Sequence, residues 1–166
     1  MKRVIGVLLA LSLMLLCFGC GDDGSIELTK DNYEEYLKVT ARCFTSGNKS
    51  INNHSYYDSV TGTVDVEGVS SNFNYKDVTV SVRIAGSYYV CDSDGHIEDS
   101  QGSNGRDAFD ETINVKCDIS GSGSGEATKE LNERSGVALS VWYTTDQFIE
   151  AGYDVVDVKG KVVPAK

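Results

Sequence analysis

"YKDVTVSVRIAGSYYVC", Tyr75 to Cys91, is the stretch that decides the fold. Val78, Val80, Val82 and Ile84 alternate with Thr79, Ser81 and Arg83. Successive side chains of an extended chain point to opposite sides, so the aliphatics share one face and the polar residues the other. A helix would scatter the same residues around its axis. Branched aliphatics also suit a pleated, half-buried surface.

Working outward, the same alternation recurs. "VTARCFT" (39–45) reads as a strand, and "VTGTVDVEGV" (60–69) sets Val64 and Val66 against Thr63, Asp65 and Glu67. "FDETINVKCDI" (109–119) and "VALSVWYTT" (137–145) continue the pattern, and "YDVVDVKGKVV" near the carboxyl end puts Val156, Val158 and Val162 on one face. Six or seven such strands, each with one polar face, predict antiparallel sheets packed face to face. The expected fold is mostly β: a single immunoglobulin-like antiparallel β-sandwich over residues 26–166 with one short N-terminal helix. The Cys…Trp…Cys order of a true immunoglobulin domain is missing, because Trp142 follows both Cys91 and Cys117.

"SIELTKDNYEEYLKV" predicts a short strand and then that helix, with Asp31 as cap, Glu34 three residues on, and Tyr33, Tyr36 and Leu37 along one face. "NKSINNHSYYDS" (48–59) is polar and reads as a loop. "GSGSGEATKE" (121–130) has the composition of a flexible loop within the domain. A second short helix is expected at 144–151.

The amino end carries an address. Met1-Lys2-Arg3 is basic, and Val4 to Leu16 is a run of 13 nearly all apolar residues. As a helix it would span only about 20 Å, against a hydrocarbon core of about 30 Å. Basic start, apolar middle and small residue before a cut make an exported leader. Its end, "LLCFGCGDD", places Gly19 before Cys20. This resembles the lipobox of bacterial lipoproteins, with Cys17 where the box usually has Leu. The resemblance implies a signal peptide over residues 1–19, lipid on Cys20, and a cell-membrane, lipid-anchored location on the extracytoplasmic face. Two acyl chains at ~0.8 kcal/mol per buried CH₂ hold a protein stably where one does not. Residues 20–25 then form the lipidated tether, and its polar part Gly21–Ser25 reaches no more than roughly 18 Å.

Composition narrows the function classes. The full chain has a formal net charge of −10, and loss of Lys2 and Arg3 with the leader leaves 13 basic against 25 acidic residues, or −12. Scattered basic residues in so acidic a chain exclude a nucleic-acid partner and broad contact with anionic lipid. One Pro against 17 Gly, with abundant Val, Thr, Ser and Tyr, agrees with an all-β domain.

Beyond Cys20, three thiols remain: Cys43, Cys91 and Cys117. At most one disulfide can form among them. Strand parity turns Cys43 and Cys117 inward, whereas Cys91 faces inward only if a bulge at Ala85-Gly86 flips the register. Cys43–Cys117, Cys91–Cys117 and three unbridged thiols all stay open.

The acidic loop 91–111 offers oxygens to Ca²⁺, with Asp92, Asp94 and Asp99 foremost, but the ligand order of an EF-hand is absent and a solvated hairpin loop is the plainer reading. His54 and His96 are the only histidines, both in polar stretches, and no G-x-S-x-G accompanies them. Cys91, His96 and Cys117 lack the close-pair spacing of structural zinc. No cofactor or metal is expected. Adjacent aromatics at Tyr56-Tyr57, Phe73/Tyr75, Tyr88-Tyr89 and Trp142-Tyr143 put one ring of a pair outward on a strand; Tyr57 and Trp142 are the candidates for stacking on a ligand.

"GTVDVEGVSSNFNYKDVTVSVRI" followed by an acidic glycine turn resembles the immunoglobulin-like FxLYD modules of bacterial surface proteins, and "IELTKDNYEEYLKV" resembles uncharacterised lipoproteins of Gram-positive bacteria. That resemblance implies a surface β-domain and carries no catalytic residues. The expected function is a membrane-anchored, non-catalytic binding or accessory module for an envelope protein or glycan. The alternatives are an envelope-polymer hydrolase using His54 or His96, and a structural surface protein without a discrete site.

Overall fold

The computed structural model describes residues 24–51, 54–89, 106–131, 137–139 and 149–165. They build a mostly-β protein of two antiparallel sheets, the β-sandwich that the alternating pattern predicts. The strands are β1 (Ile26–Leu28), β2 (Leu37–Ile51), β3 (His54–Gly68), β4 (Phe73–Tyr89), β5 (Arg106–Ser120), β6 (Ser124–Glu130), β7 (Val137–Leu139) and β8 (Ile149–Pro164). One sheet runs β1-β8-β4-β5 and the other β2-β3-β6, with β7 on the far part of β3. The two long hairpins, β2–β3 and β4–β5, belong to different sheets.

The core lies between the sheets. Val78, Val80, Val82 and Ile84 are each at most 1% exposed and face Val60, Val64 and Val66 from the other layer along with Ile113, Val115 and Ile119 from β5. At ~25 cal/mol per Å² of apolar area, each such side chain stabilises the fold by roughly 1.5–3 kcal/mol. Tyr88 stacks on Phe109, with ring centroids 6.3 Å apart.

Two bulges set which residues face inward. Tyr75 pairs with Ile119 and Val162, and the next inward residue is Val78, paired with Cys117. The extra residues turn at Asp77, whose φ is 52°, and its N–H donates to the Asp118 carboxylate at 2.7 Å. Asp tolerates this left-handed conformation better than most residues because its short polar side chain bonds locally. Opposite sits Gly160 with φ 139°, where a Cβ would stand 3.0 Å from both the Lys76 carbonyl and Val78 Cα. The second bulge lies in β8: Ser81 pairs with Asp157 but Val82 with Val155. The inward set is therefore Val155, Val158 and Val162, and Val156 is 38% exposed, not a core residue as simple alternation predicts.

Four further expectations are corrected. The N-terminal helix is a single 3₁₀ turn, Tyr33–Glu35, capped at Asn32 and not Asp31. Asn32 is the reason: its side-chain oxygen accepts the Thr29 N–H at 2.8 Å and its amide donates to the Glu27 carbonyl at 2.9 Å, which holds a tight turn between β1 and β2. Of the supposed loop 48–59, the described residues 48–51 and 54–59 are strand, paired from Asn48↔Tyr57 to Ile51↔His54 at the end of the β2–β3 hairpin. The supposed flexible loop 121–130 is mostly strand β6, registered on β3 from Thr61↔Glu130 to Glu67↔Ser124. Of the second helix expected at 144–151, the described residues 149–151 are strand.

The polar face of β3 is also less wet than its residues suggest. Thr61 and Thr63 are buried on the outer side of the central strand, and the Thr63 and Thr128 hydroxyls bond each other at 3.1 Å. Above them Arg42 reaches Asp65 and Glu126, each at 3.7 Å, across three strands.

Candidate functional site

Among the described residues the sandwich is open along one side, where β2 is an edge strand paired only with β3. β8 pairs with β4 along its length, but β1 covers its other side only at Gly160–Val162. The Asn32 turn diverts the chain from β8 to the opposite sheet after three residues of β1. Between Ile149 and Asp154, therefore, no strand among the described residues pairs with that side of β8.

Two hollows line this opening. One, of about 310 Å³, is walled by Ala41 and Cys43 of β2, Ile84 of β4, and Ile149, Ala151 and Tyr153 of β8. The other, of about 510 Å³, lies below it between Leu37, Lys38 and Val39 of β2, Tyr33 of the turn, and Tyr153 to Val155. Tyr153 borders both. It pairs with the buried Ile84 and so belongs to the inward face, yet it is 53% exposed, with no strand of the other sheet among the described residues over it. The turn flanks the lower end, where Lys30 meets Asp154 at 3.9 Å and Tyr33 bonds Glu34 at 3.2 Å.

Among the described residues walling the smaller hollow there is no histidine or carboxylate that could act as a base for the Cys43 thiol. Burial pushes that thiol up from its ordinary pKa, which disfavours the thiolate a nucleophile needs. Cys117 is raised in the same way, first by burial and then by the Asp118 charge. Both cysteines are free thiols, so no bridge joins Cys43 to Cys117. Tyr33 and Tyr36 are raised too, chiefly by burial.

A pH dependence follows. The folded state holds these four protons more tightly than the unfolded chain. Stability is thus whole below the ordinary thiol value of 9.0 and is lost as pH rises above it. Thermal melts at stepped pH are expected to show a steady midpoint to pH 8 and a fall beyond about 9, smaller when Cys43 is replaced by Ser. A flat profile to pH 11 would contradict it.

The residues singled out from the sequence are not brought together here. His54 and Tyr57 lie on β3 of the distal hairpin, Tyr57 opposite Asn48 and Val137. Cys20, Asp92, Asp94, His96, Asp99, Trp142 and Cys91 lie outside the described residues. β4 keeps unbroken register with β5 from Val78 to Tyr89, without a bulge at Ala85-Gly86. Among the described residues, no group of three or more His, Cys, Asp or Glu could hold a metal ion, and no helix is long and apolar enough to cross a membrane. Tyr153 escaped the sequence reading because "AGYDVV" contains no aromatic pair; only its place in the wall of both hollows reveals it. No protein-family model matches this chain, and no curated protein or solved structure matches it either.

Proposed function

We propose that this chain is a bacterial lipoprotein, held through Cys20 to the extracytoplasmic face of a membrane, and that its β-sandwich is a non-catalytic binding module for an envelope protein. The observation that carries the anchor is the run Val4–Leu16 closing on "CFGC". The side between β2 and β8 supports binding: among the described residues it offers a hollow lined by Ala41, Cys43, Ile84, Ile149 and Arg42, and the exposed Tyr153. The acidic charge argues for partners other than nucleic acid.

Metabolic labelling with an alkyne fatty acid, followed by membrane fractionation, tests the anchor. Wild type should label and pellet with membranes; Cys20→Ala should lose both properties. Persistent labelling and pelleting of the variant would sink the lipoprotein reading. In-cell crosslinking then tests the binding role, with a specific partner recovered from wild type as the expected result and none as the failure.

A further inference from the structure

The lower hollow, of about 510 Å³, falls within the roughly 300–1,000 Å³ of pockets that hold small ligands. Its floor is apolar, with Leu37 and Val155 buried there. Val69 stands at the rim, 49% exposed, its N–H donating to the Tyr36 carbonyl at 3.0 Å. Two tyrosine rings join the wall from different elements, Tyr33 from the 3₁₀ turn and Tyr153 from β8. The turn is stiff, because the buried Asn32 ties Thr29 and Glu27 together through its side chain. Tyr33 and Glu34 are therefore in place before any ligand arrives, which lowers the entropy lost on binding.

The charges around this hollow are matched within the chain. Lys38 meets Glu67 at 3.4 Å, and Lys30 meets Asp154 at 3.9 Å. Glu34 accepts the Tyr33 hydroxyl at 3.2 Å. A strongly charged ligand has to compete with these pairs. A neutral ligand rich in hydroxyls does not, since a carboxylate oxygen accepts more than one hydrogen bond. A purely apolar ligand suits the floor but desolvates the charged rim without bonding it. Aromatic faces, an apolar floor and carboxylate acceptors at the edge are the surroundings a sugar ring uses. Its C–H face packs on an aromatic ring, and its hydroxyls make charge-assisted bonds beside it.

We infer that the lower hollow binds a neutral oligosaccharide, with a sugar ring against Tyr153 and hydroxyls donating to Glu34 and Asp154. The Lys30–Asp154 and Lys38–Glu67 pairs stay formed beneath it. This site is additional to the protein-binding role proposed above and does not rest on it.

The test uses the purified full-length chain, its tyrosine rings carrying a ¹³C label, in a mild detergent without a sugar headgroup. The probes are three neutral trisaccharides: tri-N-acetylchitotriose, cellotriose and maltotriose. At least one is expected to bind saturably, with Kd below about 5 mM, and to shift the ring signals of Tyr33 and Tyr153. Tyr153→Ala should weaken that sugar about fivefold or more, while Tyr153→Phe, which keeps the ring, changes it less than about twofold. Tyr153 is half exposed, so both variants should fold, which an unchanged thermal midpoint checks. The cationic glucosamine trimer should bind no more tightly than the best neutral sugar. No saturable binding by any of the three, shifts confined to other tyrosines, full affinity in Tyr153→Ala, or a glucosamine trimer binding about tenfold tighter would each overturn the sugar site. In-cell crosslinking tests the protein partner separately, so either reading can fail while the other stands.

Discussion

Gly86→Ala is expected to lower stability by about 3 kcal/mol, at the upper end of what overpacking costs. Gly86 lies on the inward side of β4 between Ile84 and Tyr88, where β8 and Phe109 close in on it. A Cβ there would stand 2.2 Å from the Glu150 carbonyl oxygen, 2.7 Å from Ala151 Cα and 2.9 Å from Phe109 Cζ. The first two are backbone of the adjacent strand and cannot swing aside as a side chain can. Relief requires β8 to move off β4 at Ile149–Ala151, which also loosens the stacked Tyr88–Phe109 pair. The thermal midpoint should drop by roughly 10 °C. Gly152→Ala, one residue away across the pair, is the control: its Cβ meets open space, and its effect should stay within about 0.5 kcal/mol. A Gly86→Ala protein as stable as wild type would mean that β8 is not seated on β4 at this point, and the hollow beside Ile149 and Ala151 would lose its geometry.

The contrast between those two glycines also shows where sequence reading reaches its limit. Alternation was enough to find β4, β5 and the lower part of β3, because each has one wet and one dry face and a slip by one residue would turn the dry set outward. It failed at Val156, where a bulge shifts parity without any glycine or proline to announce it. It failed again at 121–130 for the opposite reason. Gly125 looked like flexibility, but a Cβ there would lie 2.5 Å from Cys117 Sγ, so the glycine is what lets β6 lie against β5. Composition records that a glycine is present; only the neighbour across the core says why. The candidate site was less legible still. Which residues border the hollow is a property of the whole sheet order, and Tyr153 joins its wall beyond the point where β1 leaves β8.

Tyr75 gives a second large effect and tests the core itself. Its side chain is wholly buried at the lower end of the sandwich, between Ile119 and Val162 in register and against Gly68, whose Cβ would meet Tyr75 Cε2 at 2.5 Å. Tyr75→Ala should cost about 4 kcal/mol, since it removes a large aromatic from a site whose walls are two sheets and cannot collapse freely. Tyr75→Phe should do the reverse. The hydroxyl is the one buried side-chain polar atom among the described residues without a hydrogen-bond partner. A buried group in that state forfeits the bonds it made to water in the unfolded chain, and deleting it should raise stability by about 1 kcal/mol. Urea denaturation of the pair separates shape from polarity: alanine removes both, phenylalanine only the orphaned hydroxyl. Loss of stability in Tyr75→Phe by 1 kcal/mol or more would mean that the hydroxyl is satisfied after all, by an internal water or by a shift of the Gly121–Gly123 turn beside it. Because Gly68 is held to that turn through its N–H and the Gly123 carbonyl at 3.0 Å, such a shift would carry β3 and β6 with it. The sign of the phenylalanine result therefore decides whether the lower core is closed by packing alone or by a polar contact.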